Sequence, residues 1–364
     1  MSVVHVVVAG EVGGAERMLV DLAAKAADTS RPHSVALLTP NDALRRLFRG
    51  AGLTVDDRGP VREGPLPYLA RTLGPSDVRW LTGVLERRRA AIVHLHTFAS
   101  QVLGTRAARK IGARVVRTEH STRVYDDPTC WHFSRWSLQR SDAVVCISEH
   151  VRTVASARAG SILGPSKVSV VYNGVDTARF AAAASRPSDD ARVRFLALGR
   201  LDRRKGLDIA LQAVAKTPSA ELDIVGDGDE RASLEELASR LGITDRVRFA
   251  GHTDDVRDAI ARSDVVLSSA RQEGLGVALL EGMAMQRPVV ALPTGGVPEI
   301  VVDGSTGWLA LGRSADALAR TMTAAIDSPD ERRRRGTAAR ARVVERFSVD
   351  AMRRGYEAVY TRLR

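Results

Sequence analysis

The chain has 364 residues, 44% hydrophobic and 27% charged, with a formal net charge of +11. That length exceeds one ordinary core and predicts two domains, while no apolar run approaches the roughly 20 residues of a membrane helix. Aromatic residues at 4% with no binding motif argue against a nucleic-acid partner, and two cysteines, Cys130 and Cys146, make neither a disulfide framework nor a metal spacing, which fits a reducing cytoplasm.

Short β-rich apolar runs alternate with amphipathic stretches from end to end, the pattern of α/β units on parallel sheets. The opening MSVVHVVVAG predicts a buried strand over 3–9; it is too short and lacks the basic n-region of a secretory signal. A turn at Gly13–Gly14 leads into a helix over 15–27. Further strands are predicted over 34–39, 92–96, 115–119, 143–147 and 168–172, with a helix over 101–111. Residues 56–76, rich in proline and glycine with little periodicity, predict a mobile loop or short helix. The small, polar stretch 181–191 is the expected linker between a first domain (1–180) and a second (192–336). Strands of the second are predicted over 194–198, 222–225, 247–249, 265–268, 289–292 and 307–309. Residues 337–364 read as a terminal helix, with apolar Val343, Val344, Phe347, Met352, Tyr356, Val359 and Tyr360, expected to pack back on the first domain. Two α/β halves of similar size predict a ligand cleft at the carboxyl ends of both sheets.

Charge is uneven. Residues 1–180 carry 25 Lys+Arg against 16 Asp+Glu, 181–330 carry 18 against 23, and 331–364 carry 11 against 4. A basic first half suits anionic headgroups or a phosphorylated acceptor, so peripheral contact with an anionic membrane stands beside a cytoplasmic location. Compositional bias is the plainer cause, since 49 of the 54 basic residues are arginine.

The chemistry-bearing residues concentrate in the second half. Glu273 and Glu281 stand eight positions apart, with Gly274, Leu275 and Gly276 directly after the first. Glycines let backbone N–H groups approach a diphosphate at the positive end of a helix, and a carboxylate accepts two hydrogen bonds from a vicinal diol. Arg200 and Lys205 follow an apolar strand in a turn, where two cations would neutralise a diphosphate leaving group; Arg203 and Arg204 read as a solvated loop. His120 ends the strand VVRTEH. His94 and His96 alternate with apolar residues and read as structural, neither pairing with another ligand at metal spacing.

The order GGAE (13–16), EH (119–120), NGVD (173–176), GRLDRRKG (199–206), VGDGDE (225–230), FAGHTDDV (249–256) and E-G-L-G-x4-E (273–281) resembles the retaining GT-B glycosyltransferases of family 4. The likeness spans nearly the whole chain and is looser in the first half. It implies two Rossmann-like α/β/α domains facing each other across a cleft, and a nucleotide-sugar donor, with UDP-hexose or UDP-N-acetylhexosamine first. It implies that Arg200 and Lys205 hold the diphosphate, that Glu273 contacts donor-sugar hydroxyls and Glu281 the ribose, and that His120 touches the transferred sugar or orders the donor, a polar cap over the strand end being the other reading of His120. Gly13, Gly14, Gly199, Gly228, His252, Gly274, Leu275, Gly276 and Gly295 join Glu281 as the expected donor-binding set. A tight strand-to-helix turn is the alternative reading of Gly13–Gly14, and Glu16 reads as a first-turn residue complementing the helix dipole. Asp227-Gly228-Asp229 matches a metal signature of a different glycosyltransferase fold, but here reads as a turn with an N-cap, so no metal or other cofactor is expected.

No Ser–His–Asp set, Cys–His pair or carboxylate dyad is evident. Under the resemblance this fits a same-face reaction, in which a donor phosphate oxygen takes the acceptor proton and the protein supplies positioning and charge. Competing classes are a sugar-nucleotide 2-epimerase or phosphorylase on the same fold, and an inactive partner subunit of another transferase. The acceptor is a small molecule or a lipid-linked glycan; Trp131, Phe133 and Trp136 could touch it, a core-facing helix being the commoner reason for such aromatics.

Overall fold

A computed structural model describes residues 1–9, 12–23, 31–39, 41–61, 65–182 and 192–364. They form two compact units, one of Met1–Gly174 with Met352–Arg364 and the other of Val175–Ala351.

The first unit runs β1 (Ser2–Val7), α1 (Gly14–Ala23), β2 (His33–Leu37), α2 (Asp42–Gly50), β3 (Thr54–Asp57), α3 (Pro65–Leu73), α4 (Ser76–Arg87), β4 (Ala90–Leu95), α5 (Phe98–Ile111), β5 (Arg114–Glu119), α6 (Arg123–Asp126), α7 (Pro128–Gln139), β6 (Ala143–Cys146), α8 (Glu149–Ala159) and β7 (Val168–Val170). Its parallel sheet has the order β3-β2-β1-β4-β5-β6-β7. The central strand β1, SVVHVV, is buried at every position after the first, because helices cover both faces of a parallel sheet. Local chemistry starts and stops the helices. Asn41 Oδ1 accepts the Leu44 N–H (3.1 Å) ahead of α2, Ser148 Oγ that of Val151 (3.1 Å) ahead of α8, and Gly112 ends α5 in the left-handed region.

Residues 56–76 hold the expected short helix, α3, and, beyond expectation, the end of a strand. Their first two residues finish β3, which pairs with β2, and α3 follows. The strand, TVDD, lies at the sheet edge and carries two aspartates, so it lacks the apolar alternation that marks a strand; Arg88 holds Asp56 at 2.7 Å and Arg45 holds Asp57.

The second unit runs β8 (Val193–Leu198), α9 (Leu207–Ala215), β9 (Ala220–Val225), α10 (Arg231–Arg240), β10 (Val247–Gly251), α11 (Arg257–Arg262), β11 (Val265–Ser268), α12 (Val277–Ala284), β12 (Val289–Ala291), α13 (Val297–Ile300), β13 (Gly307–Leu309), α14 (Ala315–Ile326) and α15 (Pro329–Arg346). Its parallel strands order as β10-β9-β8-β11-β12-β13. Phe195, Leu222, Ile224, Leu211, Val265, Val290, Leu318 and Met322 fill one side of this sheet with no more than 3% exposure.

The terminal segment is two helices rather than one, α15 and α16 (Val349–Thr361), interrupted at Phe347–Ser348. The first belongs to the second unit: Arg342 donates to the Glu299 and Ile300 carbonyls and Arg335 to that of Gly307. Val175 donates to the Phe347 carbonyl (2.9 Å) and Arg340 to that of Phe180 (3.0 Å), which ties residues 175–180 to the same unit. The chain from Met352 on belongs to the first unit, where Tyr356 and Tyr360 are buried and hydrogen-bond Thr118 (3.0 Å) and His94 (2.7 Å). The units therefore divide at 174/175 and 351/352. Of the expected linker 181–191, residues 183–191 lie outside the described residues. Among the described residues no helix is long and apolar enough to cross a membrane.

Candidate functional site

In the second sheet β8 and β11 are neighbours, and later strands are added outward on opposite sides of them, β9 and β10 beside β8 and β12 and β13 beside β11. Such a switch point is where an open α/β sheet leaves a crevice beyond its strand ends. The two segments that leave it are 199–206, after β8, and 269–276, after β11. They are bound to one another. Arg271 and Gln272 donate their N–H groups to the Arg204 carbonyl (2.7 and 3.2 Å), and Ser269 Oγ donates to the Lys205 carbonyl (3.1 Å). Arg271 also forms a bidentate pair with Asp208, both contacts at 2.6 Å.

Across this junction Lys205 Nζ donates to Glu273 Oε2 at 2.7 Å, with the two side chains 30% and 17% exposed. The Lys205 side chain runs past Gly199, whose N–H is bonded to the Val225 carbonyl (3.0 Å). Arg200 lies beside Asp229, 4.0 Å away, and is half exposed. Arg204 turns back on Asp202 and is 56% exposed, in keeping with a solvated loop.

The surrounding backbone is packed too closely for side chains. At Gly226, with φ +142°, a Cβ would sit 1.9 Å from the Gly199 carbonyl oxygen. At Gly295, with φ +58°, a Cβ would sit 1.8 Å from the carbonyl oxygen of Glu273 itself, and the next residue, Gly296, donates its N–H to that oxygen at 3.1 Å. The 293–296 turn thus buttresses Glu273 from behind. Gly274, Leu275 and Gly276 lead from Glu273 into α12, with Leu275 buried and Gly276 at the N-cap. Glu281, half-buried in the second turn of that helix, has the buried Leu279, Leu280 and Met283 around it.

Gly228 lies in the turn after β9, where Leu201 donates to the Asp227 carbonyl (2.9 Å) and accepts the Glu230 N–H (3.1 Å). Asp227 caps no helix: its Oδ1 accepts the N–H of the adjacent Gly228 (2.8 Å), and the N-cap of α10 is Glu230. Gly251 joins this edge by accepting the Gly226 N–H (2.8 Å), whereas the His252 side chain is 67% exposed, 3.5 Å from Asp254.

In the first unit Gly13 donates its N–H to Glu16 Oε2 (2.9 Å), so Glu16 caps its own helix. Burial raises the Glu16 carboxyl pKa, against the N–H groups that lower it. Gly14 opens α1. His120 follows β5, and burial lowers its pKa to about 4, leaving a neutral imidazole. His94 and His96 are not isolated: with His5 they bring ring nitrogens to within 4.8 Å of one another. Strand pairing causes this, since His5 and His94 are register partners on β1 and β4. His5 stands within the otherwise apolar strand SVVHVV, the one local signal for this cluster, whereas His33 opens β2 with nothing in its own strand to mark it. The aromatics of α7 also differ from a core-facing helix. Its buried face is Ser134, Ser137 and Leu138, while Phe133 is exposed and Arg158 lies over Trp131 at 5.1 Å.

Comparison with known proteins decides the family. A model described as Glycosyltransferase Family 4 matches residues 12–179, and one described as Glycosyl transferases group 1 matches 179–342. Over 353 residues the chain is 30% identical to the lipopolysaccharide core biosynthesis glycosyltransferase LpsE of Rhizobium meliloti (strain 1021), covering 95% of each. The chain belongs to glycosyltransferase family 4. It is also 30% identical over 231 residues to a phosphatidylinositol N-acetylglucosaminyltransferase subunit of Arabidopsis thaliana; that match takes in 60% of this chain and about half (51%) of the relative. Among solved structures, Anabaena Alr3699/HepE in complex with UDP and glucose has the same fold, with a TM-score of 0.81, 22% identity and 99% of both chains covered. The two parallel-sheet units are those of the GT-B glycosyltransferases, as the sequence motifs implied.

Proposed function

We propose that this family 4 glycosyltransferase moves a hexose or N-acetylhexosamine from a nucleotide sugar, UDP first, to an acceptor hydroxyl with retention at the anomeric carbon. The observation that carries the reading is the Lys205–Glu273 pair, held at the switch point of the second sheet by two loops that bond each other. A lysine there offers positive charge to a diphosphate, and Arg200 adds a second cation. Glu273, paired on one oxygen, keeps its other oxygen to accept hydrogen bonds from sugar hydroxyls. The N–H groups opening α12, which no intrahelical carbonyl can take, face the phosphates, and Glu281 receives the ribose diol.

Transfer on this reading needs no protein nucleophile. The glycosyl–phosphate bond breaks as Lys205 and Arg200 stabilise the departing diphosphate, and the acceptor attacks on the same face with its proton passing to a phosphate oxygen. The two cations supply the charge a metal would, so chelators leave the rate unchanged. The UDP and glucose bound by HepE support the donor class, and the lipid or lipopolysaccharide pathways in the relatives' names support a cell-envelope glycan acceptor; a secondary-metabolite hydroxyl is the other acceptor class. The test is a thermal-shift panel of nucleotide sugars, followed by NMR of the product made with the stabilising donor. A UDP-hexose or UDP-N-acetylhexosamine should raise Tm and yield a glycoside of retained configuration. An inverted product, or a donor sugar epimerised without acceptor, would overturn the reading.

A further inference from the structure

His120 ends a chain of imidazoles. His33 Nδ1 lies 2.8 Å from His5 Nε2, His5 Nδ1 lies 2.9 Å from His96 Nε2, and His96 Nδ1 lies 3.4 Å from His120 Nε2. His33 lies in β2 and His5 in β1, while His96 and His120 directly follow β4 and β5; these are four successive strands of the first sheet. Every link runs from Nδ1 of one ring to Nε2 of the next. His94 lies beside the chain, tilted 37° to the His96 ring at 4.1 Å by centroid, but its nitrogens go to Tyr360 Oη (2.7 Å) and Thr118 Oγ1 (2.8 Å).

A neutral imidazole has one N–H and one lone pair. A chain linked Nδ1 to Nε2 is therefore fully bonded in only two states, with all four protons on Nδ1 or all four on Nε2. Any mixture sets two lone pairs or two N–H groups face to face, which leaves both groups of that link unbonded away from bulk water. The rings are neutral: burial holds His5 and His96 well below the ordinary histidine pKa and brings His33 and His120 to about 4. The two states have opposite dipoles. Arg353 and Arg31 place positive charge at the His33 end, Arg31 being countered by Glu357 at 2.7 Å. Net positive charge there favours lone pairs at that end and N–H groups pointing towards His120.

We infer that His33, His5 and His96 are positioning residues that lock His120 as the Nδ1–H tautomer, so that it meets substrate as a hydrogen-bond donor and not as a base. The inference rests on the reading of His120 as a residue that touches the transferred sugar. It suits that reaction, in which the proton acceptor is a donor phosphate oxygen and His120 is left to orient a hydroxyl of the transferred sugar. Metal chelation by His5, His94 and His96 is the competing use, but all six of their ring nitrogens already have hydrogen-bond partners.

The test is long-range ¹H–¹⁵N NMR of the full chain labelled at histidine, which reports which nitrogen of each ring carries the proton. The lock requires Nδ1–H on His33, His5, His96 and His120 in the wild type. In His33→Phe the His120 ring should populate Nε2–H, with kcat lowered several-fold and donor KM within twofold. His33→Asn, whose amide offers an N–H near the lost Nδ1, should restore both. Nε2–H on His120 in the wild type overturns the inference even if the variants do not fold. So do an unchanged His120 tautomer in His33→Phe, or stoichiometric Zn²⁺ shifting His5, His94 and His96 together. Wild-type transfer by His120→Ala would instead defeat the role given to His120 while leaving the tautomer result standing.

Discussion

The strand ends of the two sheets are built on opposite plans. In the second unit the edge is backbone and charge: glycines against carbonyls, with Lys205 and Glu273 fixed across the junction. In the first unit a row of neutral imidazoles crosses the sheet from His33 at the start of β2, through His5 within β1, to His96 and His120 just past the ends of β4 and β5, with tyrosines of the terminal helix beside it. A glycine-lined edge can accept a polyanion closely through N–H groups, whereas an imidazole row can only donate or accept at chosen points. On the proposed reading, the difference matches a diphosphate to the second unit's edge and the orientation of a hydroxyl to the first unit's imidazoles.

The sharpest way to break this contrast is to remove the charges of the second edge. Lys205→Ala and Glu273→Ala should each lower kcat/KM by about 10²–10³, the loss typical of a missing transition-state electrostatic contact. The fold should persist, since a half-exposed ion pair contributes only about 1 kcal/mol or less to stability. Near-normal turnover with an unchanged circular dichroism spectrum would end the assignment.

Next in size is Gly295→Ala, which forces a Cβ onto the Glu273 carbonyl at a positive φ. Strain and overpacking together should cost about 2–4 kcal/mol in urea unfolding, with transfer falling as Glu273 shifts. Wild-type stability would show that the turn relaxes freely.

The imidazole row should reveal itself through pH. The unfolded histidines titrate near 6.5, and the folded His33 and His120 near 4. Between those values the unfolded chain binds more protons than the folded one, so stability falls as pH drops from about 6.5 to 4, by up to roughly 1.4 kcal/mol per pH unit for each ring. Urea midpoints at pH 7 and pH 5 measure this, and His120→Asn should show a shallower slope. Equal midpoints at the two pH values would mean the rings are already charged or solvated. Smallest of all, Arg204→Ala should leave kcat/KM within about twofold and stability within about 1 kcal/mol, because the Arg204 side chain is itself 56% exposed. A large loss there would extend the charged edge beyond Lys205 and Glu273.

The contrast also explains what was legible in the sequence. Strand runs such as SVVHVV and DVVLS mark both sheets, because parallel strands buried on two faces leave continuous apolar stretches. The charged edge was legible because its parts lie in two short segments, 199–206 and 273–281, where glycines betray close backbone packing. The imidazole row was not. His5, His33, His96 and His120 meet only through strand register, which no local spacing encodes, and His94 and His96 read alone look like structural residues. The edge strand TVDD and the helix break at Phe347–Ser348 were hidden likewise: the first is stabilised by arginines from other elements, the second by the pairing of Val175 with Ser348.

The most direct measurement is a calorimetric titration of UDP into the wild type, Lys205→Ala and His33→Phe. The account predicts at least about tenfold weaker binding by Lys205→Ala, as expected for one lost charge-assisted hydrogen bond, and unchanged affinity in His33→Phe. Wild-type affinity in Lys205→Ala would contradict it.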